Sequence, residues 1–206
     1  MATGPAFDDV LAAAQAGAAW AFEVLYRDLS PAVTGYLRLH GALDPDDLAS
    51  ETFLAVFRGL AGFSGDEDGL RSWVFTIAHR RLVDDWRRRS RRPQRADDVD
   101  LLPETPGGDV EDDVLTRLGT ETVHRMCAGL PADQRSVLLL RVLADLTVEQ
   151  VAAVMDRSVG SVKALQRRGL RRLRAELEPA GTPRTGETGG TAGAPLSARA
   201  AMTGAR

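Results

Sequence analysis

Between Leu146 and Arg174 the order of residues leaves few folding options. Thr147 is followed three residues later by Gln150, and Val148, Val151, Ala152 and Met155 recur at helical spacing. A threonine that accepts from the N–H three residues on, while a glutamine there reaches back, is a reciprocal helix cap. The apolar positions then line one face of a helix. Asp156 follows where a tight turn calls for left-handed backbone, which aspartate tolerates better than most residues. Ser158 can cap a second helix, with Val162, Leu165 and Leu173 inward and Ser161, Lys163, Ala164, Arg167, Arg168 and Arg171 outward. This spacing predicts a helix-turn-helix over Leu146–Arg174.

A helix that enters the major groove offers its first turns to base edges and its basic flank to phosphates. The segment therefore points to DNA binding. The competing reading is an ordinary helical hairpin with an arginine-rich solvent face; capping, turn spacing and charge together favour DNA.

Charge distribution supports a nucleic-acid partner where net charge, only −3 over 206 residues, does not. Eight arginines fall between Arg80 and Arg95 against Asp84 and Asp85, and eight basic residues between Arg141 and Arg174 against Asp145, Glu149 and Asp156. Acids from Asp97 to Asp113 separate the two blocks. Two basic surfaces with an acidic connector suit two contacts on one polyanion, although each block alone could be a solvated helix face. Lys163 is the sole lysine, a skew that warns against reading every arginine as functional.

Cys127, the only cysteine, excludes an intrachain disulfide framework and suits a reducing compartment. It shares a helical stripe with Val123, Met126 and Leu130, which assigns it to the core. Met1–Asp9 lacks the pattern of a signal peptide and no apolar run approaches 18 residues, so a cytoplasmic chain without membrane insertion is expected. His40, His79, His124 and Cys127 form no metal-ligand pattern, there is no nucleotide-binding glycine loop, and no cofactor is expected.

Along the chain, Phe7, Val10, Leu11 and Ala14 predict a helix ended by Gly17, and Trp20, Val24 and Leu25 a second short one. Ser30–Pro31, a cap followed by proline at the first helical position, predicts a new helix through Val33, Tyr36 and Leu37 to Gly41. Asp44–Pro45 repeats the device for a helix through Leu48, Thr52, Ala55 and Val56 to Gly59. Asp46, Asp47 and Glu51 sit where acids favour the helix dipole, while Phe53, Leu54 and Phe57 lie largely off the core stripe and suit a protein partner. Leu70, Trp73, Val74, Ile77 and Ala78 mark a long helix to about Arg89, leaving Arg71, Ser72, Phe75, His79, Arg80, Val83, Asp84 and Arg87 on other faces. Phe63, in the preceding loop, is either a core plug or an aromatic that holds an unstacked base. Proline and glycine among acids make 94–113 a flexible linker, and 14 Gly, Pro or Thr in 28 residues make the tail 179–206 disordered.

Three stretches in this order resemble bacterial sigma factors of the extracytoplasmic-function type: DPDDLASETFLAVF from Asp44, LRSWVFTIAHRRLVDDWRR from Leu70, and the Leu130–Arg174 segment. The resemblance covers roughly Ala18 to Leu177. It implies a non-enzymatic subunit that binds core RNA polymerase, reads two promoter elements, helps melt the DNA and answers to an anti-sigma factor. By position, Asp47, Glu51, Phe53 and Phe57 would face the polymerase. Phe63, Ser64 and Gly65 would form the loop that captures a flipped minus-ten base, with Arg80, where the family often has asparagine, and Arg87 on the adjoining helix. Ser161, Lys163, Ala164, Arg167, Arg168 and Arg171 would enter the minus-thirty-five groove.

The expected fold is all-α: two small helical domains, 1–93 and 114–178, joined by the linker, the second containing the helix-turn-helix. A stand-alone helix-turn-helix regulator would account for the third stretch and leave the Asp44–Phe57 helix unexplained. A recombinase would need a catalytic domain, and the first ninety residues show neither a strand pattern nor a nucleophile site.

Overall fold

The structure, a computed structural model, describes residues 5–91 and 123–177; the linker 94–113 and the tail 179–206 lie outside the described residues. All regular elements among the described residues are helical. Helix α1, Pro5–Gln15, buries Phe7, Leu11 and Ala14 and ends at Gly17, whose φ of +87° suits a residue without Cβ.

The next element differs from expectation. Instead of two short helices there is one, α2, Ala19–Leu39, with Pro31 inside it. An interior proline removes one backbone bond and costs about 3 kcal/mol. The helix continues because Ala21, Leu25, Leu29, Val33, Tyr36 and Leu37 form one buried stripe across the proline. Trp20, one of the residues that marked the second helix, is 55% exposed, and Ala21 takes the inward place.

Helix α3, Pro45–Gly59, begins as the sequence predicts: the Asp44 carboxylate accepts from Asp47 N at 2.8 Å. A short 3₁₀ turn, Leu60–Gly62, leads to the loop before α4, Glu67–Arg91. Asp66 starts α4 by accepting from Gly69 N at 2.8 Å, three residues earlier than the apolar pattern suggests. Its buried side is Leu70, Val74, Phe75, Ala78 and Leu82. Phe75, expected on another face, is fully buried with its ring edge against Tyr36, while Trp73 and Ile77 are only partly covered.

In the second unit, α5 covers residues 123–128, α6 Ala132–Val142, α7 Val148–Val154 and α8 Val159–Leu177. Cys127 is buried as expected, and burial raises its thiol pKa. The Thr147–Gln150 capping box is complete, with bonds of 3.2 and 2.7 Å. Asp156 adopts φ +51° in the turn between α7 and α8, as does Asp145 before α7, and Ser158 Oγ accepts from Ser161 N at 3.2 Å. Gly169 lets α8 press onto α6: a Cβ there would lie 2.8 Å from Leu138 Cδ1.

The two units pack on one another, α7 lying against α4, and their buried residues form one cluster. His40 Nε2 meets Ser136 Oγ at 2.9 Å, Arg135 donates to Leu39 O at 3.4 Å, and Gln150 Nε2 to Asp68 O at 3.4 Å.

Candidate nucleic-acid and polymerase interfaces

The clearest site is the outer face of α8. Ala164, Arg167, Arg168 and Arg171 fall at i, i+3, i+4 and i+7, so one helix face carries them all, and together they line a shallow concavity. Val162, Leu165 and Gly169 are buried on the opposite side and fix the helix's rotation. Lys163, Arg167, Arg168 and Arg171 are exposed, and no carboxylate among the described residues pairs with them. Their charge is free to meet phosphate. Ser161 is half-buried at the start of the helix, where its N–H is spent on the Ser158 cap.

A second basic face belongs to α4. Trp73, Arg80 and Arg87 are spaced by seven residues, which places them in a line about 21 Å long on the side away from the buried stripe. Arg80 is exposed, and Arg87 is exposed but 3.4 Å from Asp84. The loop stands at the head of this line, since the Phe63 ring stacks on Trp73 with centroids 5.3 Å apart. Phe63 is thus half-buried, packed against the helix, while Ser64 and Gly65 are exposed. A Cβ at Gly65 would come within 3.0 Å of Phe63 Cζ, so glycine at position 65 lets the loop lie close over the ring. Phe63 and Arg80 are brought to one face but two helical turns apart.

The third surface is on α3. Asp47 is exposed at its N-terminus, and Glu51 forms a 2.6 Å ion pair with Arg81 of α4. Phe53 departs from the expected surface role. It is 2% exposed, enclosed by Tyr26 at 4.8 Å and Phe57 at 5.9 Å between ring centroids. It points inward because α2 lies over that flank of α3, a tertiary fact that α3's own periodicity does not carry. The apolar surface actually presented is Leu54, 53% exposed, with half-buried Phe57 and, from α2, Tyr26. Sequence reading missed Tyr26; the only signal was its position one residue past Leu25 in the α2 stripe.

Where α2, α4 and α6 meet lies a buried polar cluster. Tyr36 Oη is 2.7 Å from His79 Nδ1, and His40 has both ring nitrogens engaged, Nδ1 with Tyr36 O at 3.0 Å and Nε2 with Ser136. Burial lowers the His40 pKa to about 3 and also lowers that of His79; it raises that of Tyr36. Both imidazoles are therefore neutral at physiological pH. No group of three or more His, Cys, Asp or Glu among the described residues could hold a metal ion, and no described helix is long and apolar enough to cross a membrane.

Comparison with known proteins agrees with this layout. Residues 25–92 match Sigma-70 region 2 and residues 120–173 match Sigma-70 region 4. The chain is 30% identical over 191 residues to the ECF RNA polymerase sigma factor SigD of Mycobacterium tuberculosis, covering 86% of this chain and 87% of that one. It is 31% identical to the RNA polymerase sigma factor YlaC of Bacillus subtilis, covering 76% and 89%. It is 33% identical to the ECF sigma factor BldN of Streptomyces coelicolor, covering 81% and 63%. Two solved structures share the fold. CnrH, in complex with the cytosolic domain of CnrY, has a TM-score of 0.62 at 24% identity and covers 85% of this chain and 99% of its own. RpoE from Bartonella quintana, in complex with the anti-sigma factor NepR, has a TM-score of 0.59 at 22% identity, covering 78% and 98%. The chain belongs to the extracytoplasmic-function RNA polymerase sigma factors, and it directs promoter-specific transcription.

Proposed function

We propose that this sigma factor grips its promoter at two points while docked on core RNA polymerase. The exposed face of α8, with Ser161, Lys163, Ala164, Arg167, Arg168 and Arg171, enters the major groove of the minus-thirty-five element. The α4 line of Arg80 and Arg87, headed by the Phe63–Ser64–Gly65 loop, meets the minus-ten element and holds the base that leaves the stack on melting. Asp47, Leu54 and Phe57, with Tyr26 beside them, form the polymerase contact; Glu51 supports it by locking α3 to α4 through Arg81. The chain acts by binding alone, in the cytoplasm, and catalyses no covalent step. The observation that carries the reading is the set of exposed basic side chains on one face of α8, in a chain whose other unit carries a second basic helix face.

A single helix-turn-helix buries little surface and draws much of its affinity from phosphate contacts that salt weakens. A second grip and attachment to polymerase remedy this. A stand-alone regulator would leave the Leu54–Phe57 surface without a purpose. The solved complexes of CnrH with CnrY and of RpoE with NepR support an anti-sigma partner for this chain too.

Run-off transcription with purified core polymerase on genomic fragments is the test. The expected result is promoter-specific initiation only when this chain is added, lost on Arg167→Ala with Arg168→Ala. Specific DNA binding without core, and no initiation with it, would refute the proposal.

A further inference from the structure

Gln15 is the last residue of α1, ahead of the segment matched to Sigma-70 region 2. Its side chain reaches across 45 and 48 residues of sequence: Nε2 donates to Leu60 O at 3.1 Å and to Phe63 O at 2.7 Å. These carbonyls lie at the two ends of the 3₁₀ turn, which is closed by Phe63 N donating to Leu60 O at 3.0 Å. One amide group thus spans the turn from which the Phe63 loop departs.

We infer that Gln15 is a positioning residue for the base-holding loop, and so sets the strictness with which one minus-ten base is read; this rests on the loop's role proposed above. The loop is short and its far end is held by Asp66 on Gly69 N. Among the described residues, its near end is held by the Gln15 clamp, the turn's own bond, the buried Leu60 side chain and the stacking of Phe63 on Trp73. An amide that donates two protons to two carbonyls fixes the direction in which Phe63, Ser64 and Gly65 leave the turn. A rigid loop discriminates between bases because a wrong base finds its partners misplaced; a loose one adapts to it. Glutamate at position 15 has the same length but an ionised carboxylate has no proton to donate, and it would face two carbonyl oxygens.

The test uses holoenzyme assembled from core polymerase and the full chain, transcribing a template library randomised across the minus-ten element, with transcripts sequenced. Wild type is expected to show a preference of at least tenfold at one position. Gln15→Glu is expected to reduce it to about twofold at that position alone, and Phe63→Ala to flatten the same position. Gln15→Lys, which restores donated protons, is expected to recover at least half of the preference; core affinity is expected to match wild type throughout. If Phe63→Ala flattens the position and Gln15→Glu does not, the role of Gln15 is overturned while the loop's role stands. If neither flattens any position, the loop's role falls and that of Gln15 with it. An even loss of transcription in Gln15→Glu, with base preferences intact, would show a merely structural residue and overturn the inference.

Discussion

Acid should weaken this fold chiefly through one side chain, His40. In the folded chain its ring is enclosed by Tyr36, Trp86 and Ser136 and stays neutral until about pH 3; burial is the main cause, Arg135 and His79 add to it, and the Tyr36 carbonyl opposes it. Unfolded, the same imidazole protonates below about pH 6.5. The folded pKa is the depressed one, so the unfolded state binds the extra proton. The associated stability is complete above pH 6.5 and is lost as pH falls toward 3. Between pH 8 and pH 5 the linkage comes to about 2 kcal/mol, at about 1.4 kcal/mol per pH unit once the unfolded group is protonated. His79, also shifted down, adds in the same direction. Carboxylates of ordinary pKa remain mostly ionised at pH 5, so this window isolates the histidines. Urea unfolding at the two pH values is the assay, with a midpoint drop on the order of 1 M expected for wild type. His40→Gln keeps hydrogen-bonding groups in place without titrating and should lose about 2 kcal/mol less across the same interval. An equal loss in wild type and variant would refute the assignment.

Thr147→Ala removes the capping threonine of α7 and should lower stability by about 1 kcal/mol, seen as a lower thermal midpoint, while Thr147→Ser should retain most of it. Leu54→Asp should weaken core-polymerase binding at least tenfold in a pull-down or fluorescence titration with melting unchanged, because Leu54 is exposed. Phe53→Ala should instead cost about 3–5 kcal/mol of stability, because Phe53 is packed among rings.

What the sequence disclosed were features set by neighbours along the chain. The Thr147–Gln150 box, the Asp44 cap, the Asp156 turn and the outer face of α8 each depend on residues within a turn or two, and each is as expected. What it concealed were features set by contacts between helices. Ser30–Pro31 carries the local chemistry of a helix start, yet the buried stripe of α2 continues through it. Phe53 and Phe75 sit off the stripes first assigned to their helices, and both are buried because α2 lies against α3 and α4 together. Gln15 could not be read as part of the loop from sequence, since 45 residues separate donor and acceptor.

The packing of α7 on α4 also bears on how two elements could be read at once. Packed helices lie about 8–10 Å apart, so α8, resting on α7, is within about 20 Å of α4. Elements named for positions ten and thirty-five are about 25 base pairs apart, which at about 3.4 Å per pair is on the order of 85 Å of duplex. Under the proposed reading, the described arrangement cannot engage both. Gripping the promoter requires the units to part, and residues 92–122, 31 in number, can reach about 100 Å when fully extended. Parting them breaks the His40–Ser136, Arg135–Leu39 and Gln150–Asp68 bonds and uncovers part of the shared core. Each net hydrogen bond is worth about 1 kcal/mol, whereas two separate DNA contacts and a polymerase surface supply far more. Under the proposed reading those contacts with DNA and polymerase must outweigh the seam's own, of which the buried His40–Ser136 bond is one.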